Sequence, residues 1–157
     1  MKTVQKGFTL VELLVVIGIL ATLLAITLIA INPARQFSQS NNTQRSSNVN
    51  AILNAVHQYA ADNRGSIPSG IATTVQRISN DSVTYPTFSD ICADLITTYM
   101  AALPRDPSIT GGNITDCTST YDTGYTIVRS STDNRITVAA PLAESIGGVA
   151  VTISVTR

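Results

Sequence analysis

From Phe8 to Ile31 the chain runs for 24 residues with one ionisable side chain, Glu12, and otherwise only apolar residues, Thr9, Gly18, Thr22 and Thr27. At about 1.5 Å rise per residue this makes a helix of roughly 36 Å, against a hydrocarbon core of roughly 30 Å. Such a segment is able to span a membrane, and the rest of the chain has to be arranged around it. A cleaved secretory signal is excluded, because its apolar core runs only about 7–15 residues and closes on small residues; here no such site precedes Asn32-Pro33. The leader MKTVQKG carries Lys2 and Lys6 and no acid. Lysines concentrate on the cytoplasmic side of a span, so the N-terminus is expected inside and everything after Ile31 outside, with Arg35 opposing that bias slightly.

Glu12 is the anomaly within the run. An ionised carboxylate inside an apolar helix costs about 2.5–3.5 kcal/mol on insertion scales, and residues kept at that cost are usually functional. The competing reading is a carboxylate that reaches the headgroups near a helix N-terminus, where the helix dipole favours negative charge.

Gly7-Phe8-Thr9-Leu10-Val11-Glu12, after a short basic leader and before an unbroken apolar helix, resembles the N-terminal signature of type IV pilins and the related pseudopilins of type II secretion. The resemblance implies that a membrane-embedded prepilin peptidase cuts between Gly7 and Phe8, that the new N-terminal Phe8 is N-methylated, and that Glu12 takes the family's acidic fifth position. Cleavage places an α-amino cation on Phe8, and N-methylation leaves that charge in place. A buried ammonium and a buried carboxylate are each costly alone and tolerable together. As the family implies, Glu12 of an incoming subunit pairs with the Phe8 amine of its neighbour and sets axial register. Phe8 and Glu12 are also i,i+4 neighbours on one helix, so a pair within the subunit competes.

The resemblance further implies an α+β fold, with a long N-terminal helix, half membrane span and half amphipathic, packed on a small antiparallel sheet. The expected divisions are a leader at 1–7, a transmembrane or filament-core helix at 8–31, an amphipathic continuation at 32–64 and an extracytoplasmic head at 65–157. Proline removes a backbone donor, so Pro33 predicts a kink or local opening around Ile29–Pro33, with Gly18 the second weak point. In the family the helix between an early glycine and a proline loosens on assembly. Val49, Ile52, Leu53, Val56, Tyr59 and Ala60 form one apolar helical stripe. Asp62-Asn63-Arg64-Gly65 suits its C-terminal cap, and Pro68 prevents resumption.

Beyond residue 65 the pattern predicts a short strand around Thr74–Ile78 and a second helix from Ser89-Asp90 to about Ala102, stopped by Leu103-Pro104-Arg105-Asp106-Pro107. Three strands follow, at Gly124–Arg129, Ile136–Ala140 and Val149–Val155, read as an antiparallel meander whose apolar face the 49–60 stripe covers.

Cys92 and Cys117 are the only cysteines, with 24 intervening residues. Outside the cytoplasm a disulfide between them is the natural reading, worth about 3 kcal/mol by loop entropy, and its position resembles the C-terminal disulfide of many pilins; two buried free thiols are the alternative. His57 is the sole histidine and flanks the apolar stripe, so it is assigned no chemistry. Asp106, Asp116, Asp122 and Asp133 stand in or near loops. Some major pseudopilins bind calcium near such a loop, but the spacing matches no EF-hand and loop aspartates usually serve turns. No metal and no cofactor is therefore predicted. Asn41, Asn80 and Asn113 stand in N-x-[ST] sequons, a pattern that a chain rich in Ser, Thr and Asn produces by chance.

Both lysines lie in the leader, leaving eight arginines against ten acids after cleavage. Without a basic run, and with the aromatics scattered, no nucleic-acid partner is predicted. The leading reading is a structural subunit, membrane-held as a precursor and then polymerised helix-inward into an extracellular filament. Its partners by resemblance are further copies of itself, the prepilin peptidase, and the assembly platform and motor proteins. A secretion pseudopilin is the alternative: the LPRDP segment favours it, and the cysteine pair favours a pilin. A minor tip pilin is a further variant, against which compact size and an intact Glu12 weigh. A membrane-anchored enzyme or binding module would need convergent catalytic groups, and no Ser-His-Asp order, metal spacing or phosphate loop is present.

Overall fold

The computed structural model describes residues 7–157. The leader expected at 1–7 lies, apart from Gly7, outside the described residues. The chain divides into two compact units, the first ending at Phe37 and the second Ser38–Arg157.

In the first unit α1 spans Leu10–Ile31 and no residue of it is buried. Among the described residues it is the helix long and apolar enough to cross a membrane. It ends at Asn32, whose backbone turns left-handed (φ 47°), and α2, Pro33–Asp62, starts at once. Proline suits the first position of a helix because its missing N–H has no intrahelical partner there. Asn32 also serves the new helix, accepting from the Arg35 N–H at its carbonyl (3.1 Å) and from Gln36 N–H (3.4 Å). The expected break at Ile29–Pro33 is thus a full interruption, with Asn32 ending one helix and opening the next.

In the second unit the predicted stripe forms the core face of α2. Val49, Ile52, Leu53 and Val56 are fully buried, in one cluster with Ile78, Tyr125, Ile127, Ile136 and Val138 from the sheet. Burying each such side chain is worth about 1.5–3 kcal/mol. Gly65, at φ 87°, closes the helix end by donating to the Ala60 carbonyl at 2.7 Å, as the Asn-Arg-Gly sequence predicts.

The architecture is α+β, with a larger sheet than the pattern predicts. It comprises β1 (Gln76–Ser79), β2 (Phe88–Ser89), β3 (Asp122–Arg129), β4 (Ile136–Ala139) and β5 (Ser154–Thr156), in the order β2-β1-β3-β4-β5. It is mixed, not wholly antiparallel: β1 and β2 pair in parallel, and the other pairs are antiparallel. The helix expected from Ser89 to Ala102 contracts to α3, Cys92–Leu95. Ile96 is buried beside Leu95, and Thr97 turns left-handed at φ 72°, which ends the helix among β-branched residues with low helix propensity. The strand expected at Val149–Val155 pairs only over Ser154–Thr156. After Ala140 N–H bonds the Ile153 carbonyl, the chain turns away, with the Ala143 N–H donating to the Ala140 carbonyl at 3.2 Å. Val149 instead closes a tight turn with Ile146 across Gly147 and Gly148, both at positive φ.

Candidate assembly site

Thr9 has extended backbone and caps α1 (φ −81°, ψ 153°). Its hydroxyl accepts from Glu12 N–H at 3.2 Å, while its own N–H and hydroxyl donate to Glu12 Oε2 at 2.8 and 2.7 Å. This reciprocal capping box satisfies two helix-end donors that otherwise lack partners. The T-x-x-E spelling of Thr9-Leu10-Val11-Glu12 is its sequence signature, and the reading of Glu12 as an assembly residue passed over it. Both bonds from Thr9 go to one carboxylate oxygen. The Phe8 amine exists only after cleavage, because in the uncut chain that nitrogen is the Gly7–Phe8 amide.

Along α1 the polar side chains are satisfied by the helix itself. Thr22 donates to the Ile19 carbonyl (2.8 Å) and Thr27 to the Leu24 carbonyl (2.9 Å), so neither hydroxyl needs water in an apolar surrounding. Gly18 has open space where a side chain would stand. A second helix is able to approach there without meeting a Cβ.

The head contains the ion pair that sequence reasoning missed. The Arg45 side chain on α2 is fully buried and forks onto Asp106, Nε to Oδ2 at 2.8 Å and a terminal nitrogen to Oδ1 at 3.0 Å. Its other terminal nitrogen donates to Asn42 Oδ1 (2.9 Å) and to Glu144 Oε1 (3.1 Å). Burial pushes the Asp106 carboxyl up, but hydrogen bonds from Arg45 and Ser108 outweigh it and leave the group below its ordinary value. Gly124, at φ 89°, leaves room for this carboxylate: a Cβ there would stand 2.5 Å from Asp106 Cβ. A signal was present, since Arg45 lies on the stripe of Val49, Ile52 and Val56. A second fork joins Arg77 to Asp122 (2.6 and 2.9 Å), with the Tyr85 hydroxyl donating to the same carboxylate at 2.9 Å.

The other sequence candidates do not converge. Asp106 and Asp122 are taken by arginines. Asp116 accepts from Thr118 and Ser119, which hold its carboxyl down to about 2. Asp133 accepts from the Arg135 N–H. Cys92 and Cys117 form a disulfide. Asn41 and Asn80 spend their amide nitrogens on Glu144 and on the Cys117 and Ser119 carbonyls, and the Asn113 side chain accepts from the Arg105 N–H.

Against known proteins, the prokaryotic N-terminal methylation motif matches residues 2–28. That span takes in Gly7, Phe8, the capping box and most of α1. No curated protein and no solved structure matches the chain.

Proposed function

We propose that this chain, which carries the N-terminal signature of type IV pilins and pseudopilins, is a structural subunit of an extracellular type IV pilus-like filament. The observation that carries the reading is the motif at residues 2–28, whose residues from Leu10 onward lie on a helix with no buried residue. A helix so apolar and so unpartnered within its own chain needs lipid first and neighbouring helices later.

In this reading the precursor sits in the membrane with its N-terminus cytoplasmic. Prepilin peptidase adds water across the Gly7–Phe8 amide, leaving a carboxylate on the leader and an ammonium on Phe8, which is then methylated. Thr9 keeps Glu12 Oε2 in the capping box, and Oε1 is available to the Phe8 ammonium of the neighbouring subunit. Gly18 and the Asn32–Pro33 break are the points at which the helix yields on packing. The head, closed by its own core and disulfide, rides outside.

The test is intact mass and N-terminal sequencing of material sheared from the cell surface. A chain beginning at N-methyl-Phe8 in that fraction supports the filament; an intact Met1 overturns the reading. A processed chain confined to membranes moves the assignment to the second reading, a secretion pseudopilin. The Leu103–Pro107 segment favours that reading, because it resembles the mid-region turn of major pseudopilins.

A further inference from the structure

The three sequons of the chain meet very different surroundings. Asn41-Asn42-Thr43 lies inside α2. There Asn42 is buried, the Asn41 amide nitrogen donates to Glu144 Oε1 at 2.8 Å, and the Thr43 hydroxyl donates to the Gln39 carbonyl at 2.9 Å. Asn80 follows β1 and is held at both ends of its amide. The nitrogen donates to the Cys117 and Ser119 carbonyls at 3.4 and 3.0 Å, and the oxygen accepts from the Tyr121 N–H at 2.8 Å. Either asparagine would have to give up these bonds to offer its nitrogen.

Asn113-Ile114-Thr115 is arranged otherwise. Ile114 is buried and forms an isolated bridge with Leu103, N–H to carbonyl in both directions at 2.8 and 2.9 Å. Asn113 and Thr115, on either side of it, are exposed, as the alternation of a bridged segment requires. Asn113 Oδ1 accepts from the Arg105 N–H at 3.3 Å. That bond takes one branch of the side-chain amide and leaves the nitrogen, on the other branch, without an acceptor among the described residues. Gly111, at φ 112°, and Gly112 precede the triplet, and the space where a Gly112 Cβ would stand is open.

We infer that Asn113 is an N-glycosylation site, the acceptor for a glycan carried on a polyprenyl diphosphate. Asn113 Nδ2 displaces the diphosphate at the anomeric carbon. The carbon–oxygen bond breaks, a carbon–nitrogen bond forms, the lipid diphosphate leaves with the bonding pair, and one amide proton passes to a base of the transferring enzyme. A sequon with a residue other than proline at its middle is the acceptor pattern for this transfer, which acts on surface loops of exported proteins. Ile114 meets the first condition, and the exposure of Asn113 and Thr115 meets the second. The bridge to Leu103 anchors the middle of the triplet in the core, so the amide and the hydroxyl stand together on the outer face. The site rests on the proposed export of the head and uses no residue of α1.

The arginines place the three sequons on separate tryptic peptides, residues 36–45, 78–105 and 106–129. Peptide mass mapping with electron-transfer fragmentation, run after reduction on the full chain recovered from its native cells, reads each of them. The expected result is a sugar mass on 106–129, placed on Asn113 by the fragment ions, with 36–45 and 78–105 bare. Asn113→Gln is expected to remove that mass. Thr115→Ala is expected to remove it as completely while keeping Asn113 and its bond from Arg105, and Thr115→Ser to retain it, so loss of the sugar is distinguished from loss of the fold. A bare Asn113, a sugar placed on a serine or threonine instead, equal occupancy of Asn41 or Asn80, or full occupancy in Thr115→Ala would each overturn the proposal. N-terminal sequencing of the same material separates this site from the assembly reading. A bare Asn113 on a chain that begins at Phe8 sinks the site alone, and a chain that keeps Met1 but carries the sugar sinks only the assembly reading.

Discussion

The segment ending at Phe37 and the head beginning at Ser38 solve opposite problems, and two carboxylates show the contrast. Glu12 is exposed and bonded three residues back along its own helix, whereas Asp106 is fully enclosed and bonded to an arginine 61 positions away in sequence. Every apolar residue of α1 forgoes the burial that α2 obtains for Val49, Ile52 and Val56. The fold of the head is therefore set by contacts within the chain, and that of α1 by local capping and by whatever surrounds it. Substitutions in the first segment should register in assembly, and substitutions in the second in stability.

The largest expected effect is on assembly. Glu12→Ala is predicted to abolish recovery of sheared filaments while leaving peptidase cleavage and the melting of the head unchanged. Filaments of normal yield and geometry from this variant would sink the charge-pair argument, and a lowered head melting temperature would break the division between the regions. Next comes Arg45→Met, expected to cost the head about 3–5 kcal/mol, because it leaves Asp106 buried without its partner. Denaturant unfolding of the full chain in micelles measures this, and a cost below about 1 kcal/mol would show that the pair is not what holds Asp106 in place. Cleavage at Gly7 should continue in that variant. Third, reduction of Cys92–Cys117 frees a loop with sequence separation 25 and is predicted to cost about 3 kcal/mol. An unchanged unfolding midpoint after verified reduction contradicts it.

The same contrast explains what could be read from the residues alone. The apolar run, the 49–56 stripe and the turn at Asn63–Gly65 are properties of single segments, written in spacing and composition, and the structure keeps them. The capping box was written equally plainly as Thr9-x-x-Glu12. What stayed hidden depends on residues far apart in the chain. Arg45 lies in a polar stretch, and its counter-charges, Asp106 in the 103–107 turn and Glu144 beyond β4, come from far along the chain. The parallel pairing of β1 with β2 and the loss of strand at Val149–Thr152 are likewise decided by neighbours, the latter by the turn at 140–143 that takes the partner strand away. Tyr99 shows why the second helix is shorter than the pattern predicts. Its spacing from Ile91 and Leu95 mimics a helix, but it reaches the core's edge after a left-handed turn at Thr97.

The smallest effect tests the pair most directly, through pH. Asp106 and Asp122 both lie below the ordinary carboxylate value in the folded head: burial raises each, and their hydrogen bonds, those from Arg45 and Arg77 foremost, lower them further. A depressed folded value means that the unfolded chain binds more protons, so stability is fully present above the unfolded value of about 3.9 and drains away as pH falls through the folded one. Removing Arg45 takes away the strongest of the groups holding Asp106 down, while desolvation remains and favours the neutral acid. The protonated carboxyl no longer gains from an arginine in either protein. The stability difference between wild type and Arg45→Met is accordingly expected to shrink on acidification, first above about pH 4 as the desolvated carboxyl of the variant takes up a proton, and further as the wild-type carboxyl does so. Unfolding curves of both proteins at matched ionic strength measure it. A difference that stays constant from neutral pH to about pH 3 would mean that Arg45 stabilises the head through packing of its side chain alone, and that the charge on Asp106 is immaterial to the fold.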